Sequence, residues 1–134
     1  MSEPAHATEF FGKTYGEAMS LLVEARDYLA HREPLDRGAL VMEERLRLCS
    51  ETMRLTSRVT QIMAWLMTQR AVYEEEITPE RALDGHDPLA ALEICMRDDA
   101  VDKLPQRLSS LLERSHRLYI RVARLDELAR RRLV

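Results

Sequence analysis

Nothing in this sequence is apolar for long enough to cross a bilayer. The longest stretch without a charge, Val59 to Gln69, is broken by Thr60, Gln61 and Thr68. Neither a membrane-spanning helix nor the apolar centre of a secretory leader is present, so a cytoplasmic protein with no membrane partner is expected. Cysteine is nearly as scarce. Cys49 and Cys95 are too few to staple a secreted scaffold and spaced unlike a metal site, which predicts buried or inert thiols in a reducing compartment and no disulfide.

Glycine occurs four times, at Gly12, Gly16, Gly38 and Gly85, with no nucleotide-binding pattern and no nucleophile elbow among them. No paired His-x-x-x-His lies on one helix face, and His6, His31, His86 and His116 are scattered along the chain. Glu74, Glu75 and Glu76 are consecutive, so on a helix they point about 100° apart and cannot converge on one cation. A non-enzymatic protein is expected, with no cofactor and no metal. His116, within Ser115-His116-Arg117, leaves a phosphotransfer bundle as an alternative, although the nearby Lys and small residues that such a site usually shows do not flank it.

Strand signals are missing too. No Asn-Gly or Asp-Gly hairpin joins two alternating runs, and apolar residues recur at steps of three and four throughout. At 134 residues one compact domain is the expected size class. The pattern predicts an all-α fold: a three-helix antiparallel bundle with a long central helix and a short helical connector before the last helix. The helices are expected near 9–32, 38–77 and 105–132, with the connector at 78–104. Thr8 is placed to cap the first and Glu33-Pro34 to stop it. Its apolar row reads Phe11, Tyr15, Ala18, Leu22, Ala25, Leu29.

The central helix carries two seams. One is Leu48, Thr52, Leu55, Val59, Ile62, Leu66, Gln69, Tyr73; the other is Met42, Leu46, Cys49, Met53, Thr56, Thr60, Met63, Met67. They lie about 100° apart, so apolar side chains cover well over half the circumference and the helix must meet neighbours on two sides. A methionine seam is either a gap-filled core or an adaptable binding groove, and core is the plainer account. A three-helix bundle cannot occupy the whole circumference, however, which predicts a homodimer through Met53, Met63 and Met67. At about 40 residues this helix would reach roughly 60 Å against roughly 36 and 42 Å for its neighbours, and should protrude or bend.

Thr78-Pro79 and Asp87-Pro88 each put a capping residue before Pro, predicting short helices in the connector. The last helix starts at Leu104-Pro105 and continues Leu108, Leu111, Ser115, Leu118, Val122, Leu125, Ala129.

Charge is distributed by segment. Residues 1–73 hold 9 basic and 10 acidic groups, 74–102 hold 2 and 10, and 103–134 hold 9 and 3. The acidic middle makes general nucleic-acid binding unexpected, while the last helix keeps one basic surface. Arg114, Arg117, Arg121 and Arg124, with Arg107, occupy the row beside its apolar seam. That row either meets the acidic connector or the Glu17, Glu24, Asp27 face of the first helix, or receives an acidic partner protein. Trp65 falls in the polar arc of the central helix with Arg54, Arg58, Gln61 and Thr68. A Trp ringed by Arg and Gln is the composition of a protein-binding hot spot; the alternative is that Trp65 packs over a connector helix while Arg54 and Arg58 pair with Glu51 and connector carboxylates.

The run Glu51-Thr52-Met53-Arg54-Leu55-Thr56-Ser57-Arg58, continuing through Gln61, Trp65-Leu66 and Gln69-Arg70-Ala71, resembles the signature of the regulator-of-CtrA-degradation family of alphaproteobacteria. Leu104-Pro105-Gln106-Arg107-Leu108, Glu113-Arg114-Ser115, Arg117-Leu118 and Arg121-Val122-Ala123-Arg124-Leu125-Asp126 extend the likeness, as does Tyr15 to Tyr28. The resemblance implies a three-helix bundle, often dimeric, without chemistry of its own. It further implies an adaptor for the ClpXP protease, delivering cell-cycle transcription regulators at the cell pole with a response-regulator partner. A stand-alone transcription-associated factor using the Arg row remains a third reading.

Overall fold

The computed structural model describes residues 3–98 and 103–133, with side chains from Phe11 onward; the expected Thr8 cap lies outside the described side chains. Three long helices dominate: α1 (Glu3–Asp27), α3 (Met42–Tyr73) and α6 (Gln106–Arg131). Between α1 and α3 lies α2 (Glu33–Gly38), and between α3 and α6 the connector holds α4 (Pro79–Ala82), a 3-10 turn (Leu89–Ala91) and α5 (Glu93–Met96). No strand occurs among the described residues. The all-α bundle read from the sequence, with its long central helix and short helical connector, is what forms.

Pro34 does not stop the first limb. Its missing N–H and its ring would break an α-helical ladder, but a π-turn at Tyr28–Arg32 precedes it, in which the Glu33 N–H bonds the Tyr28 carbonyl five residues back. The widened turn absorbs the proline and the chain stays helical to Gly38. The first limb therefore runs 25, 5 and 6 residues in succession against 32 in α3, and the length disparity that predicted a protruding or bent central helix does not arise. Arg45 secures the turn into α3, its Nε donating to the Arg37 and Leu40 carbonyls at 3.0 and 2.8 Å. At the other end α3 closes at Tyr73 rather than Ile77, because Glu75 takes the left-handed conformation at φ 60° and the Glu76 N–H folds back onto the Ala71 carbonyl. In the connector, Thr78 caps α4 as its spacing predicts, accepting from the Arg81 N–H at 3.1 Å.

Side-chain pairings set the helix directions. Glu17 meets Arg121 and Glu24 meets Arg114, numbers that rise on α1 as they fall on α6, so these two run antiparallel. Arg58 reaches Leu112 and Ser115, and Trp65 reaches Asp126; these numbers rise together, so α3 and α6 run parallel. The connector must return along the bundle between them, and it forms a fourth, irregular limb. Leu89 lies by Tyr119 and Asp126, while Cys95 lies by Arg58.

The core is the first seam of α3 (Leu48, Leu55, Ile62, Leu66) against Leu21, Ala25 and Tyr28 of the first limb and Leu108, Leu118 and Val122 of α6, with Leu89 and Cys95 from the connector. Leu21 takes the core place expected for Leu22, which is 37% exposed.

Candidate functional site

On α3 the two polar and apolar faces trade the places expected of them. Arg54 and Arg58, read as part of an exposed docking arc, are buried, with Arg58 only 1% accessible. Their partners are the backbone carbonyls of the returning connector. Arg58 donates from Nε to Cys95 O at 2.9 Å, from Nη2 to Arg97 O at 2.5 Å, and from Nη1 to Leu112 O of α6 at 3.0 Å. Arg54 donates from Nη1 to Ile94 O at 2.9 Å and Arg97 O at 3.1 Å, and from Nε to Glu51 at 3.0 Å. The predicted Glu51 pairing is thus present, and connector carbonyls join it among the described residues. A four-residue helix leaves its last carbonyls without helical partners, and two guanidinium groups, each a rigid fork of donors, supply what the helix cannot. Burial is the main cause that lowers the Arg58 proton affinity, and the neighbouring Arg54 charge adds to it.

His116 belongs to the same cluster. Its Nε2 donates to the Met96 carbonyl at 2.9 Å, the tautomer this geometry requires, and its Nδ1 lies 3.9 Å from Asp98. A half-buried imidazole spent on a carbonyl is poorly placed to accept a phosphoryl group.

A second staple lies farther along. Asp126, fully buried, accepts from the Trp65 indole at 3.1 Å, the Leu89 N–H at 3.0 Å and Arg130 at 3.1 Å. Tyr119 donates to the Leu89 carbonyl at 2.7 Å, so this one connector residue is held at both backbone groups. Trp65 is half-buried against the core and, with Gln61 and Thr68, lines a notch of about 50 Å³ shared with Ala82 and Leu83 of the α4 region. Packing over the connector, the alternative to a hot spot, describes it. Periodicity overlooked Asp126, although it shares a face of α6 with Tyr119 and Val122, and that spacing was the available signal. Cys95 is a buried thiol whose proton affinity burial raises, so it stays an unreactive neutral group; Cys49 is free and exposed.

The methionine seam goes the other way. Met42, Leu46, Met53 and Met67 are each more than 60% exposed, so the core assignment fails for them; Met63 alone of the three expected interface methionines packs against the core. Beside the seam, Leu22, Leu29 and Ala30 of the first limb face Thr56 and Thr60 across an apolar groove of about 420 Å³. The physical reason for the exchange is the connector. Its backbone needs donors, which the arginine face supplies, and covering that face leaves the methionines outside.

The arginine row of α6 faces α1. Arg114 makes a bidentate pair with Glu24 at 2.7 and 3.2 Å, and Arg121 pairs with Glu17, while Arg117 and Arg124 are exposed.

Comparison with known proteins fits this arrangement. The family described as "Protein of unknown function (DUF1465)" matches residues 2–133. The crystal structure of RcdA from Caulobacter crescentus CB15 is similar, with 39% identity, a TM-score of 0.71 and coverage of 89% of this chain and 89% of that one. No protein of curated function matches. The motifs in α3 and α6 that resemble the regulator-of-CtrA-degradation signature thus have a whole-chain counterpart, and the chain belongs to the RcdA-like family described as DUF1465.

Proposed function

We propose that this protein is a non-enzymatic adaptor that holds partner proteins and supports regulated proteolysis of cell-cycle regulators by ClpXP, in the cytoplasm and recruited to the cell pole. Its partners are the protease machinery, a response-regulator adaptor and transcription-regulator cargo. The observation that carries the reading is the row of large exposed apolar side chains Met42, Leu46, Met53 and Met67 along one side of α3, since exposed apolar groups recurring on one helix face suit a protein contact and flexible methionines suit an adaptable one. Similarity to RcdA supports it. The same strip, through Met53 and Met67, supports a homodimer, in which a two-fold axis lays one α3 against its copy. The phosphotransfer alternative is disfavoured by the hydrogen bond that occupies His116.

The test is reconstituted degradation of a cell-cycle transcription regulator by ClpXP with and without the protein, beside co-purification from the native cytosol. Faster cargo loss together with recovery of the unfoldase or its response-regulator partner is expected. Unchanged cargo half-life and recovery of neither would overturn the reading.

A further inference from the structure

Arg114, Arg117, Arg121 and Arg124 follow one another at steps of three, four and three, a stripe on one face of α6 about 15 Å long. Arg114, Arg117 and Arg121 border an open groove of about 410 Å³ against α1, whose floor is Leu21 and Leu118 and whose far wall holds Glu17 and Glu24, and Arg124 extends the stripe past it. The two carboxylates engage alternate rungs, Glu24 on Arg114 and Glu17 on Arg121. The rungs between and beyond them, Arg117 and Arg124, have no hydrogen bond or ion pair among the described residues. Arg114 is itself incompletely paired, its buried Nε lacking an acceptor.

The described part of the chain's own acidic connector does not fill this groove. It is stitched to α6 through Tyr119 and Asp126, both bonded to the backbone of Leu89. On a helical projection those positions lie about 180° from the arginine stripe.

We infer that the arginine stripe and its groove bind an acidic helical segment of a partner protein, one whose carboxylates recur once per turn on a single face. The inference rests on the adaptor reading and names the chemistry of one partner. A segment with that spacing sets carboxylates against Arg117 and Arg124, the two exposed arginines of the stripe. Guanidinium groups accept carboxylates in the same bidentate geometry Arg114 already shows with Glu24. Nucleic acid is the poorer occupant. Its phosphates are dense and continuous, and they would meet Glu17 and Glu24 in the same groove on a chain of net charge −3.

The experiment is fluorescence anisotropy with a labelled helical peptide bearing glutamates at i, i+3, i+7 and i+10, against a peptide of identical composition with its glutamates spread around the helix. The patterned peptide should bind more tightly, more weakly as salt rises, and lose about tenfold or more in affinity to the double variant Arg117→Glu/Arg124→Glu, whose melting temperature should be unchanged. Should the double variant melt early, Arg117→Gln in an otherwise intact protein serves the same purpose. Equal binding of the two peptides, duplex DNA competing as strongly as the patterned peptide, or unaltered affinity in the variants would overturn the proposal. Met53→Glu protein should bind the peptide normally. Loss of ClpXP-dependent turnover with peptide binding intact would count against the adaptor reading and not against this one.

Discussion

Arg58 donates from Nε to the carbonyl of Cys95 across 2.9 Å and 37 positions of sequence. A side chain in the middle of the central helix thereby fixes the backbone of a limb that returns between two helices. This contact and its neighbours hold the connector's backbone, while Leu89, Leu92, Cys95 and Met96 anchor its side chains in and against the core.

Arg58→Ala leaves the Cys95 carbonyl without its side-chain donor and takes one donor each from the Arg97 and Leu112 carbonyls, which keep Arg54 and Ser115 as side-chain partners. We expect a loss of about 3 kcal/mol or more by chemical denaturation, with new proteolytic cleavage around residues 94–98. Arg58→Lys should restore little of it, since one ammonium group cannot reproduce a planar fork of donors. Wild-type stability in Arg58→Ala would refute this account of the connector.

Trp65→Phe removes the indole donor to Asp126 together with part of the ring packed beside the core, and should cost about 1–2 kcal/mol, chiefly the penalty for an unmatched buried acceptor. Trp65→Ala, which also empties the packing beside the core, should cost about 3 kcal/mol. Thermal melts of both variants decide it: a Trp65→Ala protein as stable as wild type would return Trp65 to the role of a surface hot spot.

Met53 and Met67 are 65% and 61% exposed, so Met53→Glu and Met67→Glu should change monomer stability by no more than about 0.5 kcal/mol. If the seam joins two copies, wild type sediments as a dimer at micromolar concentration and either variant as a folded monomer. A wild-type monomer mass would sink the homodimer.

Glu75 sits at φ 60° without the freedom of glycine, and a left-handed side-chain residue there costs about 1 kcal/mol. Glu75→Gly should therefore raise the unfolding free energy by roughly 0.5–1 kcal/mol. It also removes one charge from the acidic run that closes α3. A lower melting temperature would show that the carboxylate contributes something the backbone does not.

Periodicity was a sound guide to the helices and to the inner seam, because Leu48, Leu55, Ile62 and Leu66 repeat as a helix turns and meet other apolar rows. It misjudged which of the two remaining faces of α3 is covered. Arg54 and Arg58 look solvent-exposed in a one-dimensional pattern, and only a non-helical backbone laid across them turns two charges into an interior binding site for carbonyls. No local signal reports that a segment far along the chain will need donors. The family motif did mark the right positions, since it singled out Arg54, Arg58, Trp65 and Asp126 where apolar spacing was silent, but a motif does not say whether a residue faces inward or outward. Pro34 misled for a related reason: its usual effect as a helix breaker was absorbed by one widened turn at Tyr28–Arg32.

The parallel run of α3 and α6 has its own effect on the order of assembly. The first limb and α3 are joined by a short turn, so their contacts close small loops, whereas Arg58 to Leu112 and Trp65 to Asp126 span 54 and 61 positions. Long loops are entropically costly to close before their contacts repay them. The hairpin of the first two limbs should thus form early in folding, with the connector and α6 arriving together as the slow, late step. During biosynthesis the nascent chain would expose its unpaired arginines and inner leucines until the final helix has left the ribosome.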